Sequence, residues 1–198
     1  MNNKVDIIGT SFFFITIITG MYNLLEGNDS KVFKAILLLA VLAISKILFK
    51  KTFLKKSSIG YIGVMFFCFL SIYLANLFGF YGISYYDKFL HLISGIMIYY
   101  LGIIIYVSLN KNSNYKKDVF FYLFPLFFSI ALAGVWEIWE FTTDLTFGLN
   151  AQNNSLIDTM TDIICGTVGA IISLLLSLRW KINGKGTIIN KIIKELEE

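Results

Sequence analysis

The chain has 198 residues, 57% of them hydrophobic and 15% charged, with a mean hydropathy of +0.71. A soluble domain is about 25% charged, so this composition excludes an ordinary soluble enzyme. The formal net charge of +4 comes from lysines flanking apolar stretches, which excludes a nucleic-acid-binding reading.

Apolar runs near 20 residues recur, and each is long enough as a helix to cross about 30 Å of hydrocarbon. They predict an all-α polytopic bundle with spans near 5–25, 32–49, 59–80, 87–109, 118–141 and 157–178, forming a single membrane domain over 1–198. The first run reads as an uncleaved helix and not as a signal peptide, because no small-residue cleavage site follows cleanly and the next span begins at once. Pro125 predicts a kink in the fifth run. Cys68 and Cys165 both lie inside apolar runs and read as small buried hydrophobes. The link from Leu145 to Leu156 is polar and uncharged after Leu149, and it reads either as a plain loop or as a flap over neighbouring acids. The tail 180–198 repeats Ile188, Ile189, Ile192, Ile193 and Leu196 among charges. That pattern predicts an amphipathic helix on the inner membrane surface.

Basic residues set the orientation. Lys4, Lys46, Lys50, Lys51, Lys55, Lys56, Lys111, Lys116, Lys117 and Arg179 fall on one side of an alternating topology, against Lys31, Lys34 and Lys88 on the other. Both termini are therefore expected in the cytoplasm, with Glu26, Asp29, Asp87, Glu137, Glu140, Asp144, Asp158 and Asp162 near the outer ends.

Asp87 and His91 share a helical face, as do Glu137, Glu140 and Asp144, and as do Asp158 and Asp162. The face of Asp158 and Asp162 continues into Gly166, Gly169, Ala170 and Ser173, a small-residue stripe suited to close helix packing. If these acids converge, only Lys88 and His91 are at hand to offset them, and like charges sharing a poorly solvated site cannot all stay ionised. Either some hold protons or a divalent cation sits among them. Carboxylates with one imidazole suit Mg²⁺, Mn²⁺ or Zn²⁺. The candidate metal ligands are Asp87, His91, Glu137, Glu140, Asp158 and Asp162, and the candidate catalytic groups are His91, Glu137 and Glu140. Blander readings stand beside these. Asp87 and Asp158 serve as helix caps, with Ser155-x-x-Asp158 matching a capping box. Asp144 sits in solvent. Tyr85, Tyr86, Trp136 and Trp139 form an interfacial aromatic belt.

The segments Tyr86-Asp87-Lys88-Phe89-Leu90-His91, Trp136-Glu137-Ile138-Trp139-Glu140-Phe141 and Asp158-Thr159-Met160-Thr161-Asp162 resemble the YjdF-like family of small bacterial inner-membrane proteins. More remotely they are similar to VanZ-like proteins, with Glu140, Asp162 and Cys165 standing where that pattern has Gln, Asn and Gly. The resemblance implies a multi-pass protein of the bacterial inner membrane and leaves its chemistry open. Three functions follow as expectations. One is a metal-assisted hydrolase or transferase acting on lipid or lipid-linked headgroups. Another is a cation- or proton-coupled transport or binding protein. The third is a structural or antibiotic-stress-resistance membrane protein.

Overall fold

A computed structural model describes residues 3–110 and 114–197. The described residues are helical and contain no strand. In chain order they form α1 (Asn3–Leu25), α2 (Asp29–Lys51), α3 (Ser58–Cys68, prolonged by a π-helical stretch Phe69–Leu77), α4 (Tyr86–Leu109), α5 (Phe120–Phe147), α6 (Leu156–Asn183) and α7 (Thr187–Glu197). Six helices are long and apolar enough to cross a membrane, in agreement with the six predicted runs. Lys111, used above to orient the spans, lies outside the described residues.

The chain packs as two compact units, one from Met1 to Tyr86 and one from Asp87 to Glu197. The first is organised by apolar and aromatic interlock. Leu38, Leu42, Tyr61, Met65 and Cys68 form its core. Phe49 meets the Tyr61 ring edge-on at 5.4 Å, and Phe12 meets Tyr73 at 5.7 Å. Its helices start from local caps. Asn28 Oδ1 accepts the Lys31 N–H at 3.2 Å, and Ser57 Oγ accepts the Gly60 N–H at 3.1 Å. These bonds satisfy amide groups that the helix itself leaves free.

The second unit is organised by glycine. A Cβ on Gly95 of α4 would come within 2.0 Å of the Gly166 carbonyl oxygen of α6, and one on Gly169 within 2.2 Å of the Leu92 carbonyl oxygen. The two backbones therefore touch, which requires the missing side chains. Ser129 of α5 donates to the Gly95 carbonyl at 2.8 Å and ties the third helix to the same place. Gly102 of α4 faces Pro125, where a Cβ would lie 2.8 Å from the proline Cα.

One predicted boundary moves clearly. α5 runs to Phe147 and not to 141. Thr142 and Thr143 continue it by bonding their hydroxyls to the Ile138 and Glu140 carbonyls, and Gly148, at φ +65°, closes it through its N–H to the Asp144 carbonyl. At 28 residues each, α5 and α6 are about 42 Å long, so they exceed the hydrocarbon thickness and reach into the interfacial zone. The tail forms a helix, as its amphipathic pattern predicts. Ile189, Ile192 and Leu196 of α7 are buried within the protein, and Trp180 Nε1 donates to Asn190 Oδ1 at 2.7 Å. Its own unit covers those three residues of the apolar face, and Ile188 is exposed.

Candidate functional site

α4 and α6 begin at the end where α5 finishes, and at that end the acids meet. Asp87, Lys88 and His91 come from the first turns of α4, and Asp158 and Asp162 from those of α6. Glu137 and Glu140 come from the final third of α5. Helix N-termini carry partial positive charge, which favours carboxylates in the first turns of α4 and α6.

Lys88 is the hub. Its Nζ lies 2.5 Å from Asp158 Oδ1, 2.9 Å from Asp162 Oδ2 and 3.4 Å from Asp87 Oδ2, one hydrogen bond to each carboxylate. Asp162 Oδ1 is 2.8 Å from the same nitrogen, so both oxygens of that carboxylate face the ammonium. His91 Nε2 stands 3.6 Å from Asp162 Oδ1 and 3.8 Å from Asp87 Oδ1, so it pairs with them only when protonated.

Glu137 is buried as well, 3% exposed. Its Oε2 accepts from Gln152 Nε2 at 3.3 Å, while its Oε1 is buried with no hydrogen bond. Glu137 interacts electrostatically with Asp162, Asp87 and Asp158. One turn along, Glu140 takes the indole N–H of Trp136 at 2.8 Å and interacts with Glu137, Asp87 and Asp162. Five carboxylates thus share one ammonium and one imidazole. An uncompensated charge in such a setting is costly and usually functional.

The link between α5 and α6 closes over this cluster, which favours the flap reading. Asp144 accepts the Ala151 N–H at 2.8 Å and the Gln152 N–H at 3.0 Å. It is therefore the anchor of the loop and not a free acid in solvent. Anchored there, Gln152 also donates to the Glu137 carbonyl at 3.1 Å, and Asn153 Nδ2 donates to Asp158 Oδ2 at 2.8 Å. Asn153 and Asn154 adopt left-handed backbone, both at φ +51°, which asparagine tolerates better than most residues. Ser155, not Asp158, caps α6 by accepting the Asp158 N–H at 3.3 Å, so the Asp158 carboxylate is left for Lys88. Trp136 and Trp139 are exposed, as a belt requires.

Asp87, His91 and Asp162 each offer a ligand atom, and these atoms all lie within 4.8 Å of one another. The ligand atoms of one ion, at about 2.0–2.6 Å from it, lie up to about 5 Å apart, so the spacing fits. Two carboxylates and an imidazole also suit a hard or borderline divalent ion. Asp158, Glu137 and Glu140 sit around this group and outside it. Gln152 and Asn153 were not singled out from sequence, and their only signal there is a polar run beside acids.

Residues 7–183 match the family described as "Predicted membrane protein (DUF2238)". No curated protein and no solved structure matches the chain.

Proposed function

The chain therefore belongs to that family of membrane proteins, and from that premise we propose that it is a membrane enzyme acting on lipid or lipid-linked headgroups with a divalent cation. Asp87, His91 and Asp162 would hold the ion. The observation that carries this reading is the convergence of those three ligand atoms near Glu137, one of whose carboxylate oxygens is buried without a hydrogen bond. Mg²⁺, Mn²⁺ or Zn²⁺ would polarise a phosphoryl or acyl group or activate water there.

The chain's own residues supply the rest. Glu137 and Glu140 flank the ion-binding group from α5 and are positioned to take or give a proton. Gln152 holds Glu137 in place through two contacts. Trp136 and Trp139 form an apolar rim on which acyl chains rest while the headgroup reaches the acids. The distribution of lysines supports an outward-facing site with both termini cytoplasmic in a bacterial inner membrane. The YjdF-like and VanZ-like resemblance belongs to this reading through the same acidic motifs.

A second reading has its own observation. The cage already holds an ammonium, that of Lys88, so the same residues suit a binding or transport protein for cations, protons or amines.

The test is metal content by mass spectrometry on detergent-purified protein, wild type beside Asp87→Ala/Asp162→Ala, with release of labelled headgroups assayed in parallel. Near-stoichiometric metal and headgroup release, both lost in the variant, are the expected result. Retained metal without turnover would leave the binding role standing and remove the enzyme. Folded wild-type protein that takes up no divalent ion would sink both the cofactor and the chemistry built on it.

A further inference from the structure

The cage contains a competitor for any incoming ion. Lys88 follows Asp87 on α4, so one turn of helix supplies both an acid and an ammonium. An ammonium has three N–H bonds, and all three are used, on Asp158 Oδ1, Asp162 Oδ2 and Asp87 Oδ2. One buried oxygen remains unserved. Glu137 Oε1 makes no hydrogen bond, although its residue is only 3% exposed. A single lysine therefore satisfies this site neither in charge nor in bonds. A divalent ion has twice the charge and takes at least four ligands.

Asp87 and Asp162 bind Lys88, and they are also two of the three residues of the metal-ligand group. The two cations would share those carboxylates at close range, and their positive charges repel each other.

We infer that Lys88 is the specificity-determining residue of the cation site: its ammonium holds the acids in the ion-free protein, and a divalent ion enters only by displacing it. This rests on the metal reading of the proposed function. A monovalent ion brings no more charge than the tethered ammonium and does not displace it. Removing the ammonium should thus tighten divalent binding and admit monovalent ions. A lysine that merely supports the fold would have the opposite effect when removed.

The experiment titrates Mn²⁺ into full-length protein in detergent, comparing wild type, Lys88→Met and Lys88→Arg, each with and without excess Na⁺. In Lys88→Met the dissociation constant should fall at least about tenfold, and Na⁺ should now compete. Lys88→Arg should restore wild-type affinity and insensitivity to Na⁺. Wild-type binding that Lys88→Met leaves unchanged or weakens would overturn the inference while the metal reading survives. Absence of binding in wild type and Lys88→Met alike would overturn the metal reading beneath it. Where Lys88→Met does not fold, the wild type alone decides. Reaction of Lys88 with an amine-acylating reagent, read by peptide mass spectrometry, should rise when Mn²⁺ is added, and a fall or no change refutes displacement.

Discussion

The two units handle charge in opposite ways. In the unit from Met1 to Tyr86, Asp6 faces two lysines, with Lys46 Nζ at 2.9 Å and Lys50 Nζ at 3.4 Å, and all three side chains are at least one-third exposed. The acid is outnumbered by the cations beside it. In the unit from Asp87 to Glu197, one lysine faces three aspartates, and two further glutamates approach from α5. Here the acids outnumber the cation, and Asp162 and Glu137 are buried. Stability does not call for such an arrangement, since buried ion pairs are often no better than apolar packing. In the first unit, therefore, cations outnumber the acid they hold, and in the second the acids outnumber their cation.

Packing gives the largest expected effect. Gly169→Val should abolish folding of the second unit at a cost of about 3 kcal/mol or more, because its Cβ meets backbone that cannot yield. Gly20→Ala in the first unit should cost less than about 1 kcal/mol, since its Cβ meets only the Ala35 methyl at 3.3 Å. Thermal unfolding in detergent reads both, and equal losses would erase the contrast. Next in size, Ile192→Ala, at a fully buried position of α7, should cost about 2–4 kcal/mol. The loss should be local, with faster protease cleavage near Lys185 while the α4–α6 packing persists. A tail that stays protected would mean that α7 is held by something other than its apolar face.

Much of this was legible in sequence, and the remainder was not for definite reasons. Six apolar runs gave six spans, because a hydrocarbon-length requirement leaves a strong mark. The pairs Asp87–His91 and Asp158–Asp162 stood out because spacing of four is a helical face. The end of α5 was misplaced because Thr142, Thr143 and Asp144 extend a helix without extending its apolar pattern. The π-helical stretch after Cys68 has no periodic signature of its own. Lys88 could be named as the nearest cation, but its three bonds depend on how α4 meets α6, which glycine contacts decide. Gln152 and Asn153 sit in a loop, where no periodicity reports direction. The tail's amphipathic pattern was plain, whereas the surface it covers, lipid or protein, is not a property of the pattern.

The smallest expected effects test the charge contrast by their sign. Asp6→Asn removes an acid that two lysines already serve, so it should lower stability by no more than about 1 kcal/mol. Glu137→Gln removes a negative charge from a cluster that has too many. Its neutral amide stays within reach of Gln152 while losing the repulsion from Asp162, Asp87 and Asp158. In chelator, where no added cation can offset the acids, Glu137→Gln should raise the melting temperature by a few degrees, on the order of 1 kcal/mol. Opposite signs for the two substitutions are the expected outcome, measured side by side in the same detergent and salt. If both lower the melting temperature, the acids of the second unit are as well compensated as Asp6. The excess charge would then be no requirement at all, and a cation would have no electrostatic reason to enter.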